Sequence, residues 1–273
     1  MREPSKIIGY ILLVFGTLSL SFSIFYEHVI LAFIGLGLTF WGALLLFIRS
    51  EKYVKEKLLN STTLPTLTDI NQIFAELGYQ GKGIYLPPKY FKNPETSKVY
   101  IAKNKNTNLP TPEEIQQHEN KLFLKNPEAA LITPPGYSLS KLFEKTLGKS
   151  FTKTDLEYLQ QNLPKIFIED LEIAENLEIQ TEPSKVAKKV ANSASVIQLK
   201  TDTIHVKITN SIYTDTCKQA RNLSHICGTI GCPICSAIAC AIAKASGNPV
   251  TIEKTECTED AKIIEAYYRI LEE

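Results

Sequence analysis

Two long runs without a charged side chain, near the start of the chain, restrict its fold more than any other feature. The runs cover residues 7–25 and 29–48, so they are nineteen and twenty residues long. A helix needs about 20 residues to cross the roughly 30 Å hydrocarbon core of a bilayer. Because only Tyr26, Glu27 and His28 separate the runs, two helices here must be antiparallel. We therefore predict a transmembrane helical hairpin rather than a buried hairpin of a soluble protein.

Basic residues on both sides of the hairpin predict its orientation. Arg2 and Lys6 precede the first run, and the connecting loop has no Lys or Arg. Four basic residues follow the second run: Arg49, Lys52, Lys55 and Lys57. The positive-inside rule then places both termini in the cytoplasm. A signal peptide is disfavoured, because the first run lacks a small-x-small cleavage site and a second spanning run follows directly. We expect a two-helix anchor in the cell membrane that contacts lipid through residues 7–48.

The composition excludes two broad classes of protein. The chain has 273 residues with 30 Lys and Arg against 29 Asp and Glu, and its formal net charge is +1. This balance is not that of a strongly basic nucleic-acid binder, and 44% hydrophobic residues is too high for a disordered chain. We therefore expect no nucleic-acid partner. The 225 residues from Arg49 onward carry nearly all of the charge and are long enough to bury a hydrophobic core.

Changes in composition divide the chain into five parts. Residues 1–6 form an N-terminal tail and residues 7–48 form the hairpin. We expect a juxtamembrane helix and a Ser/Thr/Pro linker over 49–68, followed by a small α/β segment over 69–150. Residues 151–273 are expected to form an α+β domain with an antiparallel sheet and packed helices.

Short apolar and alternating patterns predict several elements of the cytosolic part. Residues 81–86 and 98–102 are typical of two strands, and a short helix over 70–77 should end at Gly78. Residues 195–199 and 203–208, on either side of a three-residue connection, form the clearest hairpin pattern, and apolar and polar side chains alternate over 204–208.

The chemistry of the chain is expected near its C-terminus, where all six cysteines lie within the last 57 residues. Pro233 suits the first position of a helix, so Cys232 is a candidate N-cap and Gly247 a candidate helix end. This helix carries a single charge, at Lys244, so it must be largely buried, and Cys240 is expected in the core. A cytoplasmic location argues against structural disulfides.

The spacing of four cysteines is compatible with a metal site. Cys227, Cys232 and Cys235 reproduce the C-x4-C-x2-C spacing of plant-type iron–sulfur clusters, with Cys257 as a fourth ligand. Three of these thiolates, completed by the fourth, by a Glu or by His225, also suit the tetrahedral coordination of zinc. The predicted metal ligands are therefore Cys227, Cys232, Cys235 and Cys257, with zinc favoured over an iron–sulfur cluster. The simplest alternative is that the cysteines are buried, reduced thiols without a cofactor.

A redox pair is a further interpretation of the same segment. Cys232 and Cys235 flank the start of a helix, where the amide groups and the helix dipole favour a thiolate. The CPxC spacing is that of thioredoxin-like proteins, but only 38 residues follow Cys235, which is too few for the rest of that fold.

The order of elements in the last hundred residues resembles a known family. A strand, a cysteine-bearing connection, an apolar helix that starts at a cysteine, and a strand ending at Cys257 follow one another. Over about residues 165–271 this order resembles the C-terminal half of the vinyl-reductase-type small-ligand-binding domain, which is related to the TRAPP vesicle-tethering subunits. The chain also looks like uncharacterised membrane proteins from archaeal genomes.

The resemblance implies an antiparallel sheet packed with helices, a homodimer and a small apolar ligand. In some members of that family a zinc ion is held by cysteines and acidic residues, and the matching positions here are Cys227 or Cys232, Glu253 and Cys257. The resemblance also favours a strand over residues 262–271, where the pattern alone fits a strand or a helix.

These observations favour a sensor over an enzyme. No Ser/His/Asp constellation and no phosphate-binding loop stand out in the sequence. We therefore expect a membrane-anchored cytosolic protein that binds a ligand or metal without catalysis. The alternatives are a thiol redox or iron–sulfur electron-transfer protein that uses Cys232 and Cys235, and a structural tethering module at the membrane.

Overall fold

The chain folds into two compact units, Met1–Val54 and Lys55–Glu273. The computed structural model describes five stretches of the chain: residues 4–47, 56–105, 109–183, 202–260 and 262–271.

The first unit is a pair of apolar helices. Helix α1 covers Pro4–Tyr26 and helix α2 covers Val29–Phe47. Both are long and apolar enough to cross a membrane, and most of their large side chains are exposed, as expected for side chains that face lipid. Glu27 has a φ of 53°, which turns the backbone sharply between the helices. The two helices confirm the predicted apolar hairpin and indicate membrane association.

Glycines seven residues apart allow α1 and α2 to pack closely. A Cβ atom on Gly16 would lie 3.0 Å from the carbonyl oxygen of Gly35, and one on Gly42 would lie 3.0 Å from that of Gly9. Small residues of this kind let backbones approach each other, which favours the association of helices in a membrane. A Cβ atom on Gly37, by contrast, would meet no atom of the described residues within 4 Å, so this glycine does not contribute to the close contact.

Gly35→Leu should therefore loosen the hairpin, whereas Gly37→Leu should not. A Cβ atom on Gly35 would lie 2.8 Å from the backbone nitrogen of Leu20, so we expect the leucine to cost about 1–3 kcal/mol of helix association. The measurement is an SDS titration of the full chain in mild detergent, with helix separation followed by energy transfer between dyes on the two helices. Equal midpoints for the two variants would contradict the packing described here.

The second unit is built on an eight-stranded antiparallel sheet, which confirms the predicted α+β class. The strands follow the order β3-β4-β2-β1-β7-β8-β6-β5. Their bounds are β1 Gly83–Tyr85, β2 Val99–Ala102, β3 Phe123–Lys125, β4 Glu128–Ile132, β5 Ala174–Pro183, β6 Asp202–Ser211, β7 Val250–Cys257 and β8 Ile263–Ile270. Because β1 pairs with β7, the two parts that composition separates at residue 150 share one sheet.

Among the described residues of this unit, six α-helices and several short turns accompany the sheet. The helices are α3 Glu56–Leu77, α4 Pro112–His118, α5 Tyr137–Leu147, α6 Leu156–Lys165, α7 Thr214–Ala220 and α8 Pro233–Ser246. Single π-helical turns cover Ile166–Asp170 and Ile226–Ile230, and 3₁₀ turns cover Pro88–Tyr90 and Phe151–Lys153.

Helix α8 is the centre of the core. Every residue from Pro233 to Lys244 is buried, which confirms the burial expected from its composition. Cys232 is the N-cap, Pro233 occupies the first turn, and Gly247 ends the helix with a φ of 67°, also as predicted. The segment Ile226–Ser246 is apolar enough to cross a membrane, but most of it is buried inside this unit.

Helix α3 replaces the linker that the sequence predicts over residues 60–68. Asn60, Leu67 and Phe74 are buried and stand seven residues apart, so they share one face of a continuous helix. The Ser and Thr hydroxyl groups that suggest a linker donate to carbonyl groups one turn earlier, and Pro65 is exposed. Burial of one face therefore outweighs the low helix propensity of these residues.

The neighbours of β6 also differ from the predicted hairpin. Strand β6 pairs with β5 on one side and with β8 on the other. The predicted partner, residues 195–199, lies outside the described residues. Residues 262–271, which fit a strand or a helix by pattern, contain β8, as the resemblance suggests.

Candidate functional site

Five of the six cysteines line one small pocket in the second unit. Cys217 comes from α7, Cys227 from the π-helical turn before α8, Cys232 and Cys235 from the start of α8, and Cys257 from the end of β7. The cavity between them has a volume of about 20 Å³, which is room for about one water-sized group. Five other residues complete the lining: Ala220, Arg221, Thr255, Glu256 and Ile264.

A tight turn presents Cys232 and Cys235 to the pocket. Gly231 adopts a φ of 67° directly before the N-cap, and a Cβ atom there would lie 2.7 Å from Cδ1 of Ile252, so a larger residue would be strained and crowded. Cys235 is three positions after Cys232, so their side chains lie on the same side of the first turn. The Tyr268 hydroxyl of β8 donates to the Cys235 carbonyl at 3.0 Å and fastens this turn to the sheet.

Helix α7 brings Cys217 against the start of α8. Ser211 shapes the turn before α7, because its hydroxyl accepts from the backbone N–H of Tyr213 at 3.2 Å. The buried Asn60 of α3 accepts a hydrogen bond from the Thr216 hydroxyl, next to Cys217. The position of Cys217 is thus set by a segment that the sequence pattern predicts as a linker.

Of the three innermost cysteines, Cys232 is the one whose thiolate form is stabilised. Hydrogen bonds from the thiols of Cys217 and Cys235 hold the pKa of Cys232 well below its ordinary value and outweigh the effect of burial. These two thiols lower the pKa of Cys232 more than the backbone N–H groups of Ile234 and Cys235 at the start of the helix do. The same hydrogen bonds, together with burial, raise the pKa of Cys217 and of Cys235. The pocket therefore favours one thiolate beside two protonated thiols.

The other two cysteines lie nearer to solvent and have polar neighbours. Cys227 Sγ is 3.1 Å from the Thr255 hydroxyl oxygen, and both residues line the pocket. Arg221 Nη1 is 3.4 Å from the Cys257 carbonyl oxygen and 3.7 Å from its sulfur. The rim of the pocket thus holds two half-buried thiols, a hydroxyl group and a guanidinium group.

The predicted metal ligands lie around the same pocket, but the described residues do not form a ready-made metal site. The structure brings all four predicted ligands, Cys227, Cys232, Cys235 and Cys257, to the pocket. Nevertheless, within the described part of the chain, no three His, Cys, Asp or Glu side chains are arranged to hold a metal ion. Glu253, which the resemblance matches to an acidic ligand, instead pairs with Arg269 at 2.5 Å. The zinc and iron–sulfur interpretations stay predictions.

Sequence reasoning overlooked Cys217 as a member of the site. Cys217 lies ten positions before Cys227, so no spacing rule connects it to the others. The available signal was its position in the C-terminal cluster of cysteines. Cys240, in contrast, is fully buried in the core as predicted, where it accepts a hydrogen bond from Ser97 and burial raises its pKa to about 12.

Comparison with known proteins gives a family but no function. No curated protein and no solved structure matches the chain. The resemblance to the vinyl-reductase-type domain therefore stays a prediction. A family described as a domain of unknown function (DUF7982) matches residues 2–268, which is nearly the whole chain and includes both the apolar hairpin and the cysteine pocket. The chain belongs to this DUF7982 family.

Proposed function

We propose that this chain is a membrane-anchored thiol sensor that reports oxidation in the cytoplasm through its cysteine pocket. One observation carries the proposal: Cys217, Cys232 and Cys235 are buried side by side in one pocket, where hydrogen bonds from the other two thiols hold the pKa of Cys232 well below its ordinary value. A stabilised thiolate next to a second thiol is the arrangement that redox-active cysteines require, because the thiolate is the nucleophile and the second thiol completes the disulfide.

The reaction converts two thiol groups into one disulfide. The Cys232 thiolate and the thiol of Cys217 or Cys235 form an S–S bond, with loss of one proton and two electrons. The electrons pass to an oxidant. Hydrogen peroxide is reduced to water, an alkyl hydroperoxide is reduced to an alcohol and water, and a disulfide is reduced to two thiols. The reducing thiol pool of the cytoplasm returns the pocket to its resting state.

The location of the pocket supports a sensor more than a diffusible carrier. The positive-inside rule favours a cytoplasmic position for both ends of the hairpin and hence for the pocket. Cysteines in that compartment are normally reduced, so formation of a disulfide is a change of state there rather than a structural link. The hairpin is the proposed anchor in the bilayer.

A thiophilic metal ion is the second candidate ligand. It is favoured by the convergence of five cysteines from four elements, because thiolates are the preferred ligands of soft cations. Elemental analysis of the full chain purified anaerobically tests this candidate. Less than about a tenth of an equivalent of zinc or iron per chain would contradict it. A small apolar ligand in this pocket is disfavoured by size, because such sites usually enclose hundreds of Å³.

Redox equilibration tests the proposed function. The full chain in mild detergent is held in glutathione buffers of graded potential until its mass spectrum no longer changes. Free thiols are then alkylated after denaturation and mapped. We expect one disulfide that contains Cys232 and joins it to Cys217 or Cys235, while Cys240 stays a thiol. A pocket whose thiols all remain reduced under oxidising buffer, or a disulfide that leaves out Cys232, would overturn the proposal.

A further inference from the structure

We infer that the oxidant to which this pocket responds is a small peroxide and not a disulfide. The inference rests on the proposed thiol chemistry and names the class of molecule that starts it. It depends on the access of the three inner sulfur atoms, on the size of the cavity and on the polar groups at its rim.

The inner cysteines are nearly closed to solvent. Cys232, Cys217 and Cys235 are 6%, 7% and 1% exposed. A thiolate attacks a disulfide through a mixed-disulfide intermediate, so a bulky substituent has to be bonded to Cys232 during the reaction. Arg221, Ile264 and Glu256 line the same pocket, so such a substituent would have to fit beside them in a cavity of about 20 Å³. Thiol–disulfide exchange at Cys232 therefore requires local opening of the fold.

The cavity suits a much smaller reactant. Its volume of about 20 Å³ is slightly larger than the volume that a single water molecule requires. Hydrogen peroxide has two oxygen atoms joined by a short bond, so its size is close to that of the cavity. Cys232 also lines this cavity, which gives a small peroxide direct access to the thiolate.

The groups around the cavity can assist cleavage of the peroxide bond. Negative charge builds up on the departing oxygen when the O–O bond breaks, and hydrogen-bond donors stabilise that charge. The Arg221 guanidinium group and the Thr255 hydroxyl group both line the pocket. Cys217 and Cys235 line the same pocket beside Cys232.

The two steps are balanced with hydrogen peroxide as the only co-reactant. In the first step the Cys232 thiolate bonds to one peroxide oxygen, the O–O bond breaks, and the other oxygen leaves as hydroxide, which gives a sulfenic acid at Cys232. In the second step the sulfur of Cys217 or Cys235 attacks the Cys232 sulfur. The S–O bond breaks, water leaves with the thiol proton, and a disulfide remains.

Rates, rather than equilibria, test this inference. The fully reduced chain in mild detergent is mixed with hydrogen peroxide, with tert-butyl hydroperoxide or with glutathione disulfide, and loss of the Cys232 thiol is followed by quenched alkylation and mass spectrometry. The same reactions are measured on the denatured chain, in which every thiol is accessible. We expect the rate with hydrogen peroxide, divided by the rate with glutathione disulfide, to be at least about tenfold higher in the folded chain than in the denatured chain.

A variant that widens the pocket gives a second readout. Ile264 is buried and lines the cavity, so Ile264→Ala should open access to Cys232. We expect this variant to react faster with glutathione disulfide and tert-butyl hydroperoxide, with little change for hydrogen peroxide. If Ile264→Ala fails to fold, the comparison between the folded and denatured natural chain still decides.

The outcomes separate the inference from the proposed function. Equal selectivity of the folded and denatured chains would overturn the inference, as would a folded chain that reacts with hydrogen peroxide no faster than an ordinary thiol. If a disulfide of Cys232 nevertheless forms in the glutathione buffers at equilibrium, the proposed thiol sensor is supported and only the choice of a peroxide as its oxidant is wrong. If no oxidant produces that disulfide, both are wrong.

Discussion

Glu144→Ala should destabilise the second unit by about 3–5 kcal/mol, because it leaves a buried ammonium group without its counter-charge. Lys244 of α8 is 4% exposed, and its Nζ lies 2.8 Å from Glu144 Oε2. The other carboxylate oxygen accepts from the Ser150 hydroxyl and from the Phe151 backbone N–H, both at 2.9 Å. The substitution therefore removes an ion pair and two hydrogen bonds from the core. For a unit of this size we expect Tm to fall by roughly 6–20 °C.

Two control variants distinguish the loss of the ion pair from a general effect of substitution. Glu128→Ala removes an exposed ion pair with Lys103, 3.1 Å long, and should cost less than about 1 kcal/mol. The double variant Glu144→Leu with Lys244→Met replaces the buried pair by apolar groups and should recover most of the lost stability. Thermal unfolding of the full chain in detergent, followed by circular dichroism, measures all three. A change for Glu144→Ala no larger than that for Glu128→Ala would contradict the buried pair.

Cys232→Ser should abolish the pocket disulfide and lower the rate of thiol oxidation by peroxide at least about tenfold. The reason is that an ordinary thiol with a pKa near 8.5 is only a few per cent ionised at neutral pH, whereas Cys232 supplies the stabilised thiolate. The measurement is the number of thiols lost per chain after treatment with hydrogen peroxide, determined by alkylation and mass spectrometry.

Cys240→Ala is the matched control for this prediction. Cys240 lies in α8 like Cys235, but it is fully buried away from the pocket and its pKa is raised to about 12. We expect Cys240→Ala to keep the oxidation rate and the disulfide of the natural chain. Cys217→Ser and Cys235→Ser then show which thiol completes the disulfide. An unchanged rate in Cys232→Ser would show that another cysteine reacts first.

The elements that were predictable from sequence are those whose signals are local. The apolar hairpin follows from the length of two uncharged runs, and the limits of α8 follow from Pro233 and Gly247. The helical state of residues 60–68 was not predictable in this way. It depends on burial of Asn60 and Leu67 against the rest of the second unit, and the composition of the segment suggests the opposite.

The candidate site was predictable only in part, because only some of its contacts join residues that are close in the sequence. Cys232 and Cys235 are joined by the geometry of one helical turn, which the sequence pattern contains. Cys217 joins them only because the fold places α7 at the same pocket, and no local pattern encodes that placement. The charge distribution among the three sulfur atoms follows from this tertiary arrangement, so it could not be inferred from the CPxC spacing alone.

The most direct test of the account is the pH dependence of the thiolate at Cys232. The ultraviolet absorbance of thiolate groups is measured across the pH range for the full natural chain and for Cys232→Ser, and the two curves are subtracted. Because hydrogen bonds from the thiols of Cys217 and Cys235 hold the pKa of Cys232 well below its ordinary value, the difference should reach one thiolate at a clearly lower pH than the thiolate signal of the same chain after denaturation. A difference that grows only as the pH rises through about 8–9 is the behaviour of an ordinary thiol, and it would contradict the account.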